Sequence, residues 1–245
     1  MKIKKLISAL VLGSMLVGLS GCNITDFSAE NLLRPPKAVG DEAEIEQLIA
    51  KTADSGYTLK YPKNGKFRSA IIMTDLDGND SNEAVAFFRN SAETSSVHML
   101  VMYSKDNSWE IASDNIFETT DIDSVDFADI NGNGRAEIIV NSTTYTPNVG
   151  KLSCYSYSEG KTNEVGSGQS CSSFVTGDFD NDGTSEIMSL VLYTTENEAL
   201  ASMLDYNEDS KSLYAKAMAN MDPNVVKYKN IAVTKLDNDI TGIVV

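Results

Sequence analysis

Histidine and cysteine are scarce in this chain of 245 residues, which has one histidine, His98, and three cysteines. A structural zinc site takes about four Cys or His ligands at short paired spacings, and the sequence offers no such group. The chain also lacks a nucleophile elbow and a Gly-rich phosphate loop. These absences argue against the common hydrolase, zinc and nucleotide-dependent chemistries, and we assign no catalytic residue.

Positive charge is also scarce, since 20 Lys and Arg residues stand against 35 Asp and Glu residues and the formal net charge is -15 at pH 7. Three of the lysines lie within the first five residues, so removal of the N-terminus would leave a still more acidic chain. Such a surface lacks the cations that phosphate binding requires, which excludes non-specific nucleic-acid binding. It suits a cation-rich, extracytoplasmic medium.

One long apolar run is present, and it lies at the N-terminus. Residues 1–5 are basic, and residues 6–19 are apolar but fewer than the roughly 20 residues that a transmembrane helix needs. Ser20-Gly21-Cys22 follows them. This order resembles a bacterial lipoprotein signal peptide, residues 1–21, with its lipobox. The resemblance implies cleavage before Cys22, a lipid on Cys22 and an extracytoplasmic protein anchored to the bacterial membrane. An ordinary export signal with a chance cysteine is the alternative.

Residues 22–41 show no apolar period and are interpreted as a tether, which a short helix follows within residues 42–56. Asp41 fits an N-cap and Glu44 lies three positions on, as in a capping box. Apolar side chains then recur at helical spacing, which predicts an amphipathic helix packed on the next element. The predicted buried face consists of Ile45, Leu48, Ile49 and Thr52 or Ala53.

From Tyr57 onward, short apolar runs alternate with clusters of Asp, Asn, Gly and Ser, which is typical of strands and turns. An acidic segment occurs three times, with Asp or Asn at positions one, three and five and Glu at position nine. The copies are residues 75–83, 129–137 and 178–186. A tyrosine follows the first Asp of each copy after 28 residues: Tyr103, Tyr157 and Tyr206. One unit therefore consists of a strand, an acidic loop and three further strands.

Self-similarity at this period predicts an all-β fold, a β-propeller-like array of four-stranded blades over residues 57–245. A fourth unit begins at Asn230, and the chain ends in its second strand. Because a half-built blade exposes an unpaired edge, either the first strands of the domain complete it or the chain is a piece of a longer protein. We expect the second, and therefore an incomplete propeller.

The acidic loops indicate a cation site, because carboxylates crowded this closely repel one another unless a positive charge lies between them. Calcium prefers about six to eight oxygens, which side chains at positions one, three, five and nine and a carbonyl near seven can supply. Solvated Asx turns are the alternative for any one loop, but three copies in one register favour calcium. Magnesium is the weaker candidate, because it tolerates flexible all-protein cages poorly.

The units resemble FG-GAP or VCBS repeats, the propeller blades of integrin α-subunit heads and of many bacterial surface proteins. The resemblance covers roughly residues 65–245 and implies that each acidic loop joins the first two strands of a blade and binds calcium. Residues at position seven would bind through their carbonyl oxygens. The implied ligands are Asp75, Asp77, Asn79, Ser81 and Glu83; Asp129, Asn131, Asn133, Arg135 and Glu137; and Asp178, Asp180, Asp182, Thr184 and Glu186.

Three functions fit these features, and the favoured one is a lipid-anchored, calcium-stabilised module at the cell surface that binds or scaffolds a protein or a glycan. The second is a glycan-active propeller enzyme, and the third is a purely structural envelope lipoprotein. The enzyme has the least support, because the conspicuous acids are assigned to the metal loops. His98 and Trp109 belong to strand-like segments and are interpreted as structural.

Cys154 and Cys171 lie outside the acidic loops. Export from the cytoplasm would allow them to form a disulfide. Two buried thiols are the alternative, and the sequence does not decide between them.

Overall fold

The computed structural model describes residues 40–54, 56–226, 231–235 and 241–245. Strands dominate these residues, which form an all-β protein with one helix of more than a single turn. The signal-like segment, Cys22 and the tether up to residue 39 lie outside the described residues. Within the described ranges, no helix combines the length and the apolar composition that a membrane crossing requires.

The order of the elements follows the order that the repeat predicts. The helices are α1 (Asp41–Ala53) and α2 (Pro223–Val226). The strands are β1 (Tyr57–Leu59), β2 (Ile71–Thr74), β3 (Glu83–Asn90), β4 (Val97–Lys105), β5 (Ser108–Phe117), β6 (Ile122–Ala128), β7 (Glu137–Thr143), β8 (Gly150–Ser158), β9 (Lys161–Cys171), β10 (Ser173–Gly177), β11 (Glu186–Tyr193), β12 (Glu198–Asn207), β13 (Ser212–Met221), β14 (Ala232–Lys235) and β15 (Thr241–Val244). Each acidic loop joins the first two strands of a unit, as expected, whereas the single turn α2 is not predicted by the sequence.

Four antiparallel sheets arise from these strands. The second sheet has the order β6-β7-β8-β9, the third has the order β10-β11-β12-β13, and the fourth pairs β14 with β15 among the described residues. In the first sheet, β3 pairs with β4 on one side and with both β1 and β2 on the other. The strands β1 and β2 thus share one edge, which residues 60–70 interrupt. Among the described residues, no strand closes the four sheets into a ring.

The first sheet is buried on both faces, because α1 covers one face and the second sheet covers the other. Successive side chains of β3 point to opposite faces. Phe87 accordingly packs in the cluster shared with the second sheet, and Phe88 packs in the cluster shared with α1. The predicted helix face is confirmed, with Ile45, Ile49 and Ala53 buried and Leu48 partly buried.

The sheets pack on one another in sequence order. The second and third sheets enclose a cluster to which one contributes Ile139 and Leu152 and the other contributes Ile187 and Leu204. The third and fourth sheets share a smaller cluster. The first strands of the second, third and fourth units are also neighbours, since β10 contacts both β6 and β14. Each acidic loop leaves its sheet at the end of the first strand of its unit.

The capping box predicted at Asp41 and Glu44 is wrong. The helix α1 begins at Asp41 itself, its N-cap is Gly40, and its first turn has no side-chain cap. The carbonyl oxygen of Gly40 instead accepts the N–H of Ala43 at 3.0 Å. Glu44 Oε2 accepts the backbone N–H of Trp109 at 3.3 Å, so a contact with β5 uses the carboxylate that a capping box would need.

His98 and Trp109 both pack within the first sheet, in agreement with their interpretation as structural residues. The Trp109 side chain is 8% exposed and lies in the cluster under α1. The His98 ring stacks on Phe88 with centroids 4.8 Å apart, and its Nδ1 lies 2.9 Å from Asp114 Oδ1. The one histidine of the chain is therefore engaged away from the acidic loops.

The register of the second sheet keeps Cys154 and Cys171 apart, so the disulfide considered above does not form between them. Cys171 lies opposite Gly150 of β8, and Cys154 lies four residues further along that strand. At about 3.3 Å per residue the two positions are roughly 13 Å apart along β8, whereas bridged cysteines have Cα atoms less than about 7 Å apart. Both side chains are buried in the cluster between the second and third sheets.

Candidate metal centre

The three acidic loops share one pattern of backbone hydrogen bonds. In each loop the first Asp accepts the N–H of position six, and the side chain at position five accepts the N–H of position seven. The first set comprises Asp75 with Asp80 (2.9 Å), Asp129 with Gly134 (2.7 Å) and Asp178 with Gly183 (3.2 Å). The second set comprises Asn79 with Ser81 (2.7 Å), Asn133 with Arg135 (2.9 Å) and Asp182 with Thr184 (2.8 Å). The repeat in sequence is therefore a repeat in local structure.

The glutamate at position nine is buried in all three loops and begins the second strand of its unit. The side chains of Glu83, Glu137 and Glu186 are 3%, 1% and 0% exposed. One oxygen of each accepts the N–H of the residue at position two, from Leu76 (2.8 Å), Ile130 (3.0 Å) and Phe179 (2.8 Å) respectively. This contact ties the start of the loop to the sheet.

Two of the loops bring their acids together. In the third loop, oxygens of Asp178, Asp180, Asp182 and Glu186 all lie within 4.8 Å of one another. In the first loop the same holds for Asp75, Asp77 and Glu83. The side chains of these residues come from the loop and from the first residue of the following strand, which is the arrangement that the spacing predicts.

Three carboxylate oxygens in these two clusters are buried and accept no hydrogen bond from the described residues: Asp77 Oδ1, Asp178 Oδ1 and Glu186 Oε1. A buried acceptor without a donor costs about 1–3 kcal/mol, and a charged one costs more. A cation among these oxygens would satisfy them. A set of oxygen donors only, mounted on a loop, suits calcium and other hard divalent cations, so the residues fit the metal that the sequence indicates.

The second loop differs, because an amide stands at position three where the other loops have a carboxylate. Asn131 Nδ2 donates to Glu137 Oε1 at 2.6 Å, and Ile130 N donates to Glu137 Oε2 at 3.0 Å. Both oxygens of Glu137 therefore have protein donors. The side chain of Arg135 is turned away, with Nη1 donating to Ser158 Oγ at 2.9 Å. The structure thus gathers fewer acids here, and this loop is the weakest of the three candidate sites.

Burial sets the ionisation of the position-nine glutamates in the metal-free chain. It raises the pKa of Glu83 to about 7, and the nearby Asp77 and Asp75 carboxylates add to the rise. Burial likewise raises the pKa of Glu137 to about 7, with Asp129 contributing. The pKa of Glu186 is raised by the same cause. Ionised glutamates at these positions therefore destabilise the fold unless a cation compensates for them.

Neighbouring loops also contact one another. Ala136 N, just before β7, donates to the carbonyl of Leu76 in the first loop at 3.0 Å. Ser185 N, just before β11, donates to the carbonyl of Asp129 in the second loop at 2.9 Å. Glycine is favoured at position 132, because φ is +70° and a Cβ would lie 2.8 Å from the Thr184 methyl group. The candidate sites are therefore linked from sheet to sheet.

The repeated tyrosines lie close to the acidic loops, a relation that spacing alone does not show. Burial raises the pKa of Tyr157 to about 12, and the carboxylates Glu83 and Asp77 of the first loop add to the rise. The Tyr157 side chain, from the second sheet, also packs in the same buried cluster as Leu76 of the first loop. Gly160, in the turn that follows, lets the Tyr103 ring approach, since a Cβ there would lie 3.1 Å from it.

Lys216 is a charged neighbour of the third loop that the sequence does not reveal. Its Nζ contacts Asp180 directly and lies 2.8 Å from Asp205 Oδ2. The Asp180 and Asp205 carboxylates raise the pKa of Lys216, so the ammonium stays charged. Lys216 lies on β13, 36 residues from Asp180, and only the pairing of β12 with β13 brings it there. The Lys216 ammonium therefore competes with a metal ion for the Asp180 carboxylate.

We expect Lys216→Met to lower the dissociation constant of the third loop for calcium several-fold. The substitution removes a cation that competes for Asp180 and leaves the ligand carboxylates in place. Calorimetric titration with calcium measures the change. Lys211→Met is the matched control, because Lys211 pairs with Glu208 in an exposed turn and should leave the affinity unchanged. Unchanged or weaker binding by Lys216→Met would show that this lysine does not compete with the ion.

Comparison with models of known protein families gives no match, and comparison with curated proteins gives no significant relative. The interpretation of the loops therefore depends on the repeated spacing, the gathered carboxylates and the buried oxygens that have no donor. These features together define a candidate divalent-cation centre in the third loop and another in the first.

Proposed function

We propose that this chain is a calcium-stabilised, extracytoplasmic binding or scaffold module built as a β-propeller of FG-GAP or VCBS type. One observation carries the proposal: two repeated loops gather acids within 4.8 Å and hold buried carboxylate oxygens that have no donor among the described residues. A divalent cation would make such an arrangement favourable.

The sheet arrangement supports the propeller part of the proposal. Consecutive sheets pack in sequence order, and β6, β10 and β14 are neighbours as the innermost strands of blades would be. Within the described part of the chain the fourth sheet has two strands, which pair antiparallel like the first two strands of the other units. The loop-to-loop contacts at Leu76 and Asp129 repeat at equivalent places between successive sheets. Each of these relations is expected for blades arranged around an axis.

The metal in this proposal has a structural role. It would be held by carboxylates of the loop and by the glutamate that opens the second strand, so its binding joins loop and sheet. Calcium fits better than magnesium, because the cluster is supplied by protein side chains on a flexible loop. The loops offer no histidine as a general base, since His98 is engaged with Asp114 and Phe88 in the first sheet. A binding role is therefore favoured over metal catalysis.

A lipid anchor at Cys22 is the second part of the proposal, and it rests on the N-terminal sequence. We expect membrane-extracted protein to lack residues 1–21 and to carry an acylated Cys22. Mass spectrometry of the intact protein measures both. Cys22→Ala is the control and should leave the protein unlipidated and uncleaved. An unmodified Cys22 in soluble, exported protein would contradict the anchor.

Binding of an envelope component is tested with the purified mature chain in calcium and in chelator. We expect an immobilised panel of envelope glycans and proteins to retain the calcium form. A chain that carries both Asp75→Ala and Asp178→Ala should be retained less, because both candidate sites have lost a ligand. Turnover of a glycan would favour the enzyme instead, and neither retention nor turnover would favour a purely structural lipoprotein.

A further inference from the structure

The second acidic loop touches both of the loops that hold a candidate metal centre. A Cβ at Gly78 of the first loop would lie 3.1 Å from the carbonyl oxygen of Gly134. A Cβ at Gly132 of the second loop would lie 2.8 Å from the methyl group of Thr184, in the third loop. A change in the shape of either outer loop therefore reaches the second loop directly.

One peptide group joins the second loop to the third. It consists of the carbonyl of Asp129 and the N–H of Ile130. The carbonyl accepts the N–H of Ser185 at 2.9 Å, and the N–H donates to Glu137 Oε2 at 3.0 Å. Ser185 directly precedes Glu186, which is one of the four gathered acids of the third loop. This peptide group therefore connects the position-nine glutamates of the two loops.

A corresponding bond joins the first loop to the second. Leu76 lies between the first two acids of its loop, and its N–H donates to Glu83 Oε2 at 2.8 Å. Its carbonyl accepts the N–H of Ala136 at 3.0 Å. Ala136 directly precedes Glu137, so this bond also ends beside a position-nine glutamate. The second loop is thus bonded on both sides to a loop that gathers acids.

Apolar contacts hold the same two junctions. Leu76 and Ile130, each at position two of its loop, are buried. Leu76 belongs to the same cluster as Ile138, and Ile130 belongs to the same cluster as Ile187. Ile138 and Ile187 directly follow the position-nine glutamates of the second and third loops. Each junction therefore combines a backbone hydrogen bond with a buried apolar cluster.

The second loop keeps its shape through its own hydrogen bonds. Asn131 Nδ2 donates to Glu137 Oε1 at 2.6 Å, and Asn131 Oδ1 accepts the N–H of Asn133 at 3.1 Å. Bonds at both ends of the amide fix its orientation. Asp129 also accepts the N–H of Gly134 at 2.7 Å. A loop that is closed in this way can carry a displacement from one neighbour to the other.

Calcium in one outer loop has two effects on the other outer loop, and their signs differ. The ion orders its own loop and the bonds from that loop to the second loop, so the other site loses less conformational entropy when it binds. The added positive charge weakens the attraction of the other acids for calcium. Because packed sheets lie about 10 Å apart, the first and third sheets are roughly 20 Å apart. Exposed charges are largely screened beyond about 8 Å at physiological ionic strength, so the ordering effect is the larger one.

We propose that the second loop couples the candidate calcium centres of the first and third loops, so that calcium in either loop raises the affinity of the other. This inference rests on the proposed calcium binding and adds the regulation of the same sites. By linkage, each site must favour the other by the same factor. The chain would then pass from the empty to the doubly loaded form over a narrower range of calcium concentration than two independent sites allow.

A site-resolved NMR titration of the mature chain with calcium tests the coupling. The backbone amide signals of Gly78 and Gly183 report the occupancy of the first and third loops. Asp178→Ala gives the affinity of the first loop alone, and Asp75→Ala gives that of the third loop alone. With these two constants fixed, we expect both wild-type curves to require one coupling factor of about five, at the lower end of the usual range. A factor of one or less, or different factors for the two curves, would overturn the inference.

Gly132→Ala tests whether the second loop carries the coupling, because the added Cβ pushes against Thr184 of the third loop. Gly134→Ala is the matched control. Both glycines have positive φ, +70° and +80°, but a Cβ at Gly134 meets nothing within 4 Å. Each glycine variant is combined with Asp75→Ala and with Asp178→Ala, so that direct effects on one site are measured separately. The coupling factor should fall to about one in Gly132→Ala and stay near about five in Gly134→Ala.

Equal coupling factors in the two glycine variants would overturn the role of the second loop. If Gly132→Ala fails to fold, the coupling factor of the wild type decides. The same titrations separate this inference from the proposed function. Calcium that binds both outer loops with a factor of one would remove the coupling and leave the proposed metal function intact. Signals that do not respond to calcium in either loop would overturn the proposed metal function, and the coupling with it.

Discussion

Calcium should raise the melting temperature of the metal-free chain by roughly 5–10 °C per occupied loop. Asp178→Ala should abolish the part of this increase that is due to the third loop. A ligand that binds only the folded state stabilises it by about 2.7 kcal/mol when present at a hundred times its dissociation constant. For a chain of this length each kcal/mol shifts the midpoint by about 2–4 °C. Asp178 supplies one of four gathered carboxylates and one of the buried oxygens without a donor, so its loss removes both charge and a ligand.

Asp129→Ala is the matched control for this prediction. Asp129 occupies the same position in the second loop and accepts the same backbone N–H, from Gly134 at 2.7 Å. The second loop gathers fewer acids, and Glu137 is satisfied there by Asn131. We expect this variant to lose stability with and without calcium but to retain most of the calcium-dependent gain. Equal loss of that gain in both variants would contradict the ranking of the sites.

In chelator, the chain should lose stability as the pH rises from 5 to 7.5. Burial raises the pKa of Glu83 and Glu137 from 4.5 to about 7, so the folded chain binds protons that the unfolded chain has released. Under these conditions the free energy of unfolding falls as the pH rises from the unfolded pKa to the folded pKa. Each unit of pKa shift corresponds to about 1.4 kcal/mol, so two such groups change stability by several kcal/mol. Asp75 has the opposite effect on the stability. Desolvation raises its pKa, but hydrogen bonds from backbone N–H groups lower it by more, so its pKa lies below the ordinary value of 3.8 and it affects the stability only near and below that pH.

Calcium should reduce this pH dependence, because a bound cation favours the ionised glutamates. The effect should be partial, since the second loop is the weakest site and Glu137 keeps its own titration. Urea denaturation at a series of pH values measures the free energy. Glu83→Gln keeps an acceptor for Leu76 N but cannot ionise, so it should make the slope in chelator less steep, while Glu137 still contributes. A chelated wild type that is as stable at pH 7.5 as at pH 5 would contradict the effect.

Most of the sheet order follows from the spacing of the sequence. The interval between each first Asp and its tyrosine fixes two strands and the turn that joins them, and Tyr103 and Tyr157 lie near the ends of β4 and β8 as expected. The helical period at Ile45 and Ile49 also predicts which side of α1 is buried. These features are local, so a local pattern is sufficient to find them.

Contacts between sheets do not follow from spacing. Residues 60–70 leave the edge of the first sheet and reach the second, where Asn64 N donates to the carbonyl of Asp123 at 2.7 Å. The capping box fails for the same reason, because Trp109 of β5 takes the carboxylate of Glu44. These contacts depend on how one element is rotated over the next, which no local pattern specifies.

The sequence likewise predicts some features of the candidate metal sites and not others. The sequence shows which loops carry acids, and the structure gathers those of the first and third loops. The sequence does not show that Asn131 of the second loop donates a hydrogen bond to Glu137, nor that Lys216 lies against Asp180.

The central claim is that the loops bind calcium, and titration of the chelator-stripped mature chain by isothermal calorimetry tests it most directly. We predict two strong sites per chain, of which Asp178→Ala removes one and Asp75→Ala removes the other, with at most one further weak site in the second loop. Circular dichroism should show strand content before and after the titration, so that the titrated species is folded. A folded chain that releases no heat with calcium and melts at one temperature with and without chelator would show that the acidic loops are solvated turns.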